Sequence, residues 1–387
     1  MASEYLDHNA TTALDQRVLE VMQPYLQGVA GNPSSVHRFG RHLRAAIDQA
    51  REQVAALVGV NAAQVVFTSG GTEANNLALK GSAASIAEHQ APGHMIIGST
   101  EHSSVIQSAL ALQRQGWQID RLAVDHDGRV CVEQLADLLR DETRLVSVMM
   151  ANNETGVITD IAAIHDELQG HAVVLHCDAV QALGKMKVDF QRAGAGLMSL
   201  SGHKIYGPGG IGALIMDRSL ELQPQMHGGG QEFGLRAGTE NIAAIVGFGR
   251  AAELASAEWS DRQERTLVLR QRLEQALVTA IPELIVFGQQ AERLSNTVFF
   301  AVPMIDGETL MMALDNDGFA VASGSACSSG NHLPSHVLLA MGMDAGLARC
   351  AVRVSLGMQN DAGDVDRFVD SLKRQVQKLG KMAALAW

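Results

Sequence analysis

Aromatic residues are scarce: Phe, Trp and Tyr together make up 4% of the 387 residues. The core must therefore be built mainly from Ala, Val, Leu, Ile and Met. Cysteine is scarcer still. The four, Cys131, Cys177, Cys327 and Cys350, form no C-x-x-C pair and no finger-like spacing with histidine. That excludes a disulfide scaffold and predicts a reducing, cytoplasmic setting. No run approaches the ~18 apolar residues of a membrane span. Residues Met1 to Asp7 carry two acids and no apolar leader stretch, so no signal peptide is expected. Positive charge is also short. Thirty Lys and Arg against 42 Asp and Glu leave a net charge of −12, which disfavours direct nucleic-acid binding because no summed positive field exists. There is no internal repeat and no low-complexity segment.

Apolar material is plentiful. Hydrophobic residues reach 47% and charged residues only 19%, which excludes an intrinsically disordered chain. Glycine is frequent, at 38 residues, but without a collagen-like period. The length suits two or three domains. Short apolar runs alternate with helical patterns, which predicts an α/β fold with a mostly parallel sheet. The strand-like runs are 65–68, 95–98, 145–150, 172–177, 197–200 and 211–216. The helical stretches between them are 43–58, 72–84, 104–115, 132–139 and 161–168. A long charged helix over 251–280 breaks the rhythm. Shorter elements follow it, and they read as a smaller α+β domain. The expected division is a large domain over 14–255 and a small one over 1–13 and 256–387.

Five strand runs end in polar turns: 69–72, 100–103, 152–156, 178–181 and 201–204. Ligands of open α/β sheets bind outside the carboxyl ends of strands, so these turns are expected to converge on one site. Gly71 and Thr72 follow a strand and open a helix. Thr72 can be a simple N-cap, or the helix start can hold a phosphate. Gly207 to Gly212 matches G-x-G-x-x-G but leads into a strand, so it reads as a turn and not as a dinucleotide fingerprint.

Lys204 is one of seven lysines. A surface lysine is the ordinary reading, but at the mouth of a strand, beside Ser201 and His203, it suits Schiff-base chemistry. Asp178 can cap a helix or hold a protonated pyridine nitrogen. His102 can bond to backbone, or stack on an aromatic cofactor and move protons. Cys327 lies among Ser323, Gly324, Ser325, Ser328, Ser329 and Gly330. A cysteine is usually buried and inert, but this small, polar neighbourhood reads as an exposed loop bearing a candidate nucleophile. The other three cysteines sit in apolar or helical contexts and read as structural.

These residues carry a resemblance. The segments 5–12 (YLDHNATT), 68–73 (TSGGTE), 100–102 (TEH), 152–156 (NNETG), 178–181 (DAVQ), 201–204 (SGHK), 236–241 (RAGTEN) and 324–327 (GSAC) resemble, in order, those of the NifS/IscS-type cysteine desulfurases. The resemblance implies a fold-type I, class-V aminotransferase-like enzyme that uses pyridoxal 5'-phosphate (PLP) and works as a homodimer. It implies that Lys204 holds PLP, Asp178 pairs with its ring nitrogen, His102 stacks on the ring and Gln181 meets the ring oxygen. Gly71, Thr72, Ser201 and His203 would bind the phosphate, and Thr239 would reach the phosphate of the partner subunit. Asn153 and Arg353 would orient the carboxylate of L-cysteine. Cys327 would take the sulfur as a persulfide, leaving L-alanine, for a sulfur-acceptor or scaffold protein in iron–sulfur cluster assembly or thiolation.

Three positions depart from the family pattern. Leu333 after His332 stands where an acid is common, Leu339 where a basic residue is usual, and Phe233 where arginine is frequent. None belongs to the cofactor set. All bear on the acceptor. A selenocysteine lyase or another PLP-dependent β-eliminase on the same fold is the near alternative. A non-catalytic sulfur-transfer scaffold is the distant one.

Overall fold

The computed structural model describes residues 4–324 and 333–385, the last four by backbone alone. Cys327 and His332 lie outside the described residues.

After a short strand β1 (Glu4–Tyr5), the chain builds a seven-stranded sheet. Its strands are β2 (Val65–Thr68), β3 (His94–Gly98), β4 (Gln118–Leu122), β5 (Thr143–Met149), β6 (Val174–Asp178), β7 (Leu197–Ser201) and β8 (Gly212–Met216). The spatial order is β2-β8-β7-β6-β5-β3-β4. The pairings among β4, β3, β5, β6 and β7 are all parallel. β8 is antiparallel to both of its neighbours. β2 therefore points the same way as β7, and only β8 is reversed. Strands β2, β3 and β7 are buried along their whole length, as a sheet covered on both faces requires.

A second, four-stranded sheet follows. It contains β9 (Ile285–Val286) and β10 (Thr297–Ala301) and, beyond β11 (Phe319–Ala320), β12 (Ala322–Ser323) and β13 (Ala351–Ser355). Its order is β12-β13-β10-β9 and all its pairings are antiparallel. β1 pairs in parallel with β11, which ties the start of the chain to this part of the molecule.

The helix Ile242–Ala280 links the two parts. Asn241 caps it by accepting from the Ala244 N–H at 3.2 Å. Ile245, Phe248, Ala252 and Ala255 pack in the core of the large sheet. Further along, Leu269, Leu273 and Leu277 recur every four residues, so one face packs with Phe300, Val354 and Phe368 in a separate core. At Gly249 a Cβ would stand 2.7 Å from the Cα of Ala50. The helix Arg38–Leu57 crosses there at a distance only glycine allows.

The mostly parallel sheet is as the alternating pattern predicts. Several elements do not show in that pattern, among them one helix and one strand of the large part. Helix Gln16–Leu26 carries Pro24 in its last turn, which masks the helical period. Strand β4 is half-exposed at the sheet edge and carries Asp120 and Arg121, so it lacks an apolar run.

Candidate active site

The strands β2, β3, β5, β6 and β7 run in one direction, so their carboxyl ends share one edge of the sheet. A cavity of about 460 Å³ opens there. It is lined from all five polar turns and, across the opening, by Asp7, Asn9, Ser323, Gly324 and Arg353. Of the twelve residues expected in the site, ten line it: Gly71, Thr72, His102, Asn153, Asp178, Gln181, Ser201, His203, Lys204 and Arg353. Thr239 is exposed and does not line this cavity. Cys327 lies outside the described residues, but Ser323 and Gly324, the last described ones before it, line the wall.

Asp178 ends β6 and is almost completely buried. One carboxylate oxygen accepts from the Asn75 amide at 2.7 Å and the other from the Val180 N–H at 3.0 Å. The same Asn75 nitrogen donates to Ser104 Oγ at 2.8 Å. Ser104 in turn meets His102: its N–H donates to Nδ1 at 3.1 Å, with Oγ 2.8 Å from the same nitrogen. Nδ1 is therefore an acceptor, and the ring proton of neutral His102 belongs on Nε2. Burial is the main cause that lowers the His102 pKa. Lys204 and His336 push the same way, against the opposing pull of Asp178. The result is an uncharged imidazole, suited to lie on a flat cofactor. Asn75 and Ser104 escape a reading of motifs. Their only sequence signal is the helical spacing of Asn75 from Thr72 and the position of Ser104 two after His102.

Lys204 sits on the short 3-10 turn Gly202–Lys204 that follows β7. Its amine donates to the carbonyls of Asn9 and, at 2.7 Å, Ala10. His203 Nδ1 lies 3.1 Å from Thr11 Oγ1, and burial, followed by the charge of Lys204, pushes its pKa down to about 4.

A phosphate group fits where β2 and β7 end, with Gly71 beside Ser201. Gly70 has φ of +155°, a conformation that L side chains rarely adopt. It delivers Gly71 to the start of the continuous helical segment 71–87. Ser201 Oγ is buried there with no hydrogen-bond partner, an expensive state unless a ligand supplies one. Glu73 on the first turn pairs with Arg236 at 2.9 Å and so anchors the segment that carries Thr239. The donor set fits PLP: an amine, a buried carboxylate, a neutral imidazole and an orphaned hydroxyl around one cavity.

Arg353 reaches the site from β13. It pairs with Asp7 at 2.6 Å and donates to the Asn153 carbonyl at 2.8 Å. Glu101 lies fully buried, accepting from the Met149 N–H at 2.7 Å. Burial, then the neighbouring Asp178, raises its pKa well above the usual carboxyl range. Of the cysteines taken as structural, Cys177 and Cys350 are buried and Cys131 is partly so. Burial raises all three thiol pKa values, which makes them poor nucleophiles.

Residues 4–368 match the family model described as aminotransferase class-V. The chain is 44% identical over 385 residues to a cysteine desulfurase IscS of Anaeromyxobacter sp. (strain Fw109-5), covering 98% of this chain and 94% of that protein. Among solved structures, a NifS-like protein superposes with a TM-score of 0.90 at 33% identity, covering 97% of this chain and 99% of the other. A protein named SspA, solved in complex with cysteine, superposes with a TM-score of 0.82 at 32% identity, covering 92% and 99% of the two chains.

Proposed function

The chain belongs to the aminotransferase class-V family, and we propose that within it the chain is a PLP-dependent cysteine desulfurase that converts L-cysteine to L-alanine and passes the sulfur to an acceptor. The observation that carries this reading is the convergence of Lys204, Asp178, His102 and the unpartnered Ser201 hydroxyl on one cavity.

When bound, PLP supplies an electron-accepting ring that acidifies the substrate Cα–H and weakens its Cβ–S bond. Asp178, fixed by Asn75 and the Val180 N–H, holds the proton on the ring nitrogen. His102 covers the ring face as a neutral imidazole. Gln181 donates to the ring oxygen. Gly71, Thr72, Ser201 and His203 hold the phosphate. Lys204 would hold the cofactor covalently, and its amine would move the α-proton of the substrate. Arg353, oriented by Asp7 and Asn153, receives the substrate carboxylate. Cys327 attacks the substrate sulfur as a thiolate. The Cβ–S electron pair stays with the three-carbon product, which takes up protons and leaves as alanine, while the sulfur remains on Cys327 as a persulfide. Gly324 lines the cavity three positions before Cys327 in the chain.

The chain works as a homodimer in which Thr239 serves the partner subunit's phosphate site. Its exposure and its absence from the lining of its own cavity support this. Of the four hydrophobic clusters, one drawn wholly from 66–222 and one drawn wholly from Leu6 and 269–376 support the division into 14–255 and 1–13 with 256–387. No helix among the described residues is long and apolar enough to cross a membrane, and we place the enzyme in the cytoplasm. Sulfur goes to iron–sulfur cluster assembly or a thiolation system through an acceptor or scaffold protein.

The test is direct. Purified protein given L-cysteine and a small thiol reductant should form L-alanine and sulfide in equal amounts. Lys204→Ala should abolish this, and borohydride should no longer fix PLP to the chain. Turnover near wild type in Lys204→Ala would overturn the assignment.

A further inference from the structure

Lys185 stands behind the cavity and has no part in the chemistry above. Its amine donates to Gln181 Oε1 at 2.7 Å and to Asn9 Oδ1 at 2.8 Å. Asn9 is the meeting point of a dense polar cluster. Its side-chain oxygen also accepts from Asn296 at 3.0 Å, and its side-chain nitrogen donates to the Asn153 carbonyl at 3.2 Å and to Thr297 Oγ1 at 2.9 Å. Its backbone N–H donates to Ser355 Oγ at 2.8 Å. Its backbone carbonyl accepts from both Gln181 Nε2, at 2.9 Å, and the Lys204 amine. The two lysines thus grip the same residue, one through its side chain and one through its backbone.

We propose that Lys185 is a positioning residue for the cofactor: it fixes the amide of Gln181 so that nitrogen, not oxygen, is turned toward the cavity, and it holds Asn9 as the acceptor for the Lys204 amine. This rests on the reading that Gln181 meets the ring oxygen of PLP. The argument is one of donors and acceptors. A lysine amine donates, so the Gln181 atom facing it must be the oxygen. The amide nitrogen is then left with one N–H for Asn9 and one for the cavity that Gln181 lines. Without Lys185, only the Asn9 carbonyl at the nitrogen end still distinguishes the two ends of the amide, and a flipped amide would set oxygen against oxygen at the ring.

Lys185 holds its amine inside this polar cluster. The residue is partly exposed overall, but burial of its amine, helped by the charges of Lys204 and Arg353, holds its pKa well below the usual range.

The experiment is a double-mutant cycle on the holoenzyme with Lys185→Met and Gln181→Ala. It reads the PLP dissociation constant and the position of the visible band of bound PLP, with the melting temperature as a control for folding. Each single change should loosen PLP about tenfold, the loss of one or two net hydrogen bonds, and should shift the band. The double variant should be no looser than Gln181→Ala within about threefold, because both changes act through one amide. Multiplied losses of about a hundredfold would overturn the proposal. So would an unshifted band and unchanged affinity in Lys185→Met beside a shifted Gln181→Ala. If Gln181→Ala itself leaves both readouts unchanged, it is the cofactor contact of Gln181 that fails, and the proposal falls with it. Should the Met variant not fold, the same cycle on Lys185→Gln decides, and multiplied losses there overturn the proposal equally.

Discussion

Asn75 Nδ2 lies 2.7 Å from Oδ2 of Asp178, and both groups are almost completely buried. Through Ser104 the same nitrogen is linked to His102. The carboxylate that would hold the ring nitrogen and the imidazole that would cover the ring face are therefore set by one amide. Removing it leaves a buried carboxylate oxygen short of a donor and Ser104 Oγ held by His102 alone.

Asn75→Ala should accordingly weaken PLP binding by about tenfold to a hundredfold, the range for a lost hydrogen bond to a charged group. Asn75→Asp should be worse, because it sets a second carboxylate against Asp178. Equilibrium dialysis of PLP checks the order. Equal affinities in wild type and Asn75→Ala would show that Asp178 is held well enough by the Val180 N–H alone.

Arg51 and Glu232 form a buried pair with contacts of 2.6 and 2.7 Å, and Glu232 also accepts from the Phe67 N–H at 2.8 Å. The guanidinium lies between the rings of Phe67 and Phe233, with centroids 4.7 and 5.2 Å away. Glu232→Gln removes one charge and strands the other, so it should cost about 3–5 kcal/mol, read as a lower urea midpoint at unchanged slope. A loss below about 1 kcal/mol would mean that water reaches Arg51. Phe233 thus has a structural task, which accounts for an aromatic residue where the family frequently has arginine.

His176 is fully buried between Ser147 Oγ at 2.8 Å and Ser199 Oγ at 3.0 Å. Burial depresses its pKa from 6.5 to about 4. Between those values the unfolded chain binds a proton that the native chain refuses. Its contribution is therefore fully present above pH 6.5 and lost as pH falls toward 4. His176→Asn should lower stability at neutral pH but flatten its decline below pH 6.5 by about 1.4 kcal/mol per pH unit, the value for one proton. Denaturant melts of the apoprotein from pH 7 to pH 4.5 check the slope. An unchanged slope would mean that His176 titrates in the native state.

Some of the site could be read from the chain because it is local. Thr72, His102, Asp178, Ser201 and Lys204 each sit where an apolar run gives way to a polar turn, and parallel strands must bring such turns to one edge. The residues that support them are not local. Asn75 meets Asp178 across 103 positions and Lys185 meets Asn9 across 176. An asparagine on a helix and a lysine after a glycine carry no pattern that separates them from surface residues. Asp7 is similar. It lies in a segment quoted for its resemblance, yet its pairing with Arg353 depends on the bridge between Asp7 and Ser355. Strand β4 shows the converse, since an edge position removes the apolar run by which a strand is recognised.

Leu333 and Leu339 bear on the acceptor. Leu333 is 56% exposed and Leu339 43%, and Ser335 between them is fastened to Glu154 of the cavity wall. Single exposed leucines are ordinary. Two on one short stretch, where charges are usual, suit a partner held by an apolar anchor, and such contacts govern dissociation, not salt-dependent encounter. Sulfur transfer to the acceptor protein should then depend weakly on salt. Leu333→Glu should slow that transfer by about tenfold, the cost of one anchor, while leaving alanine formation with a small thiol reductant unchanged. Paired assays of the two reactions at low and high salt check both statements. An equal loss in both assays would show instead that Leu333 supports the cavity wall through the Ser335–Glu154 contact.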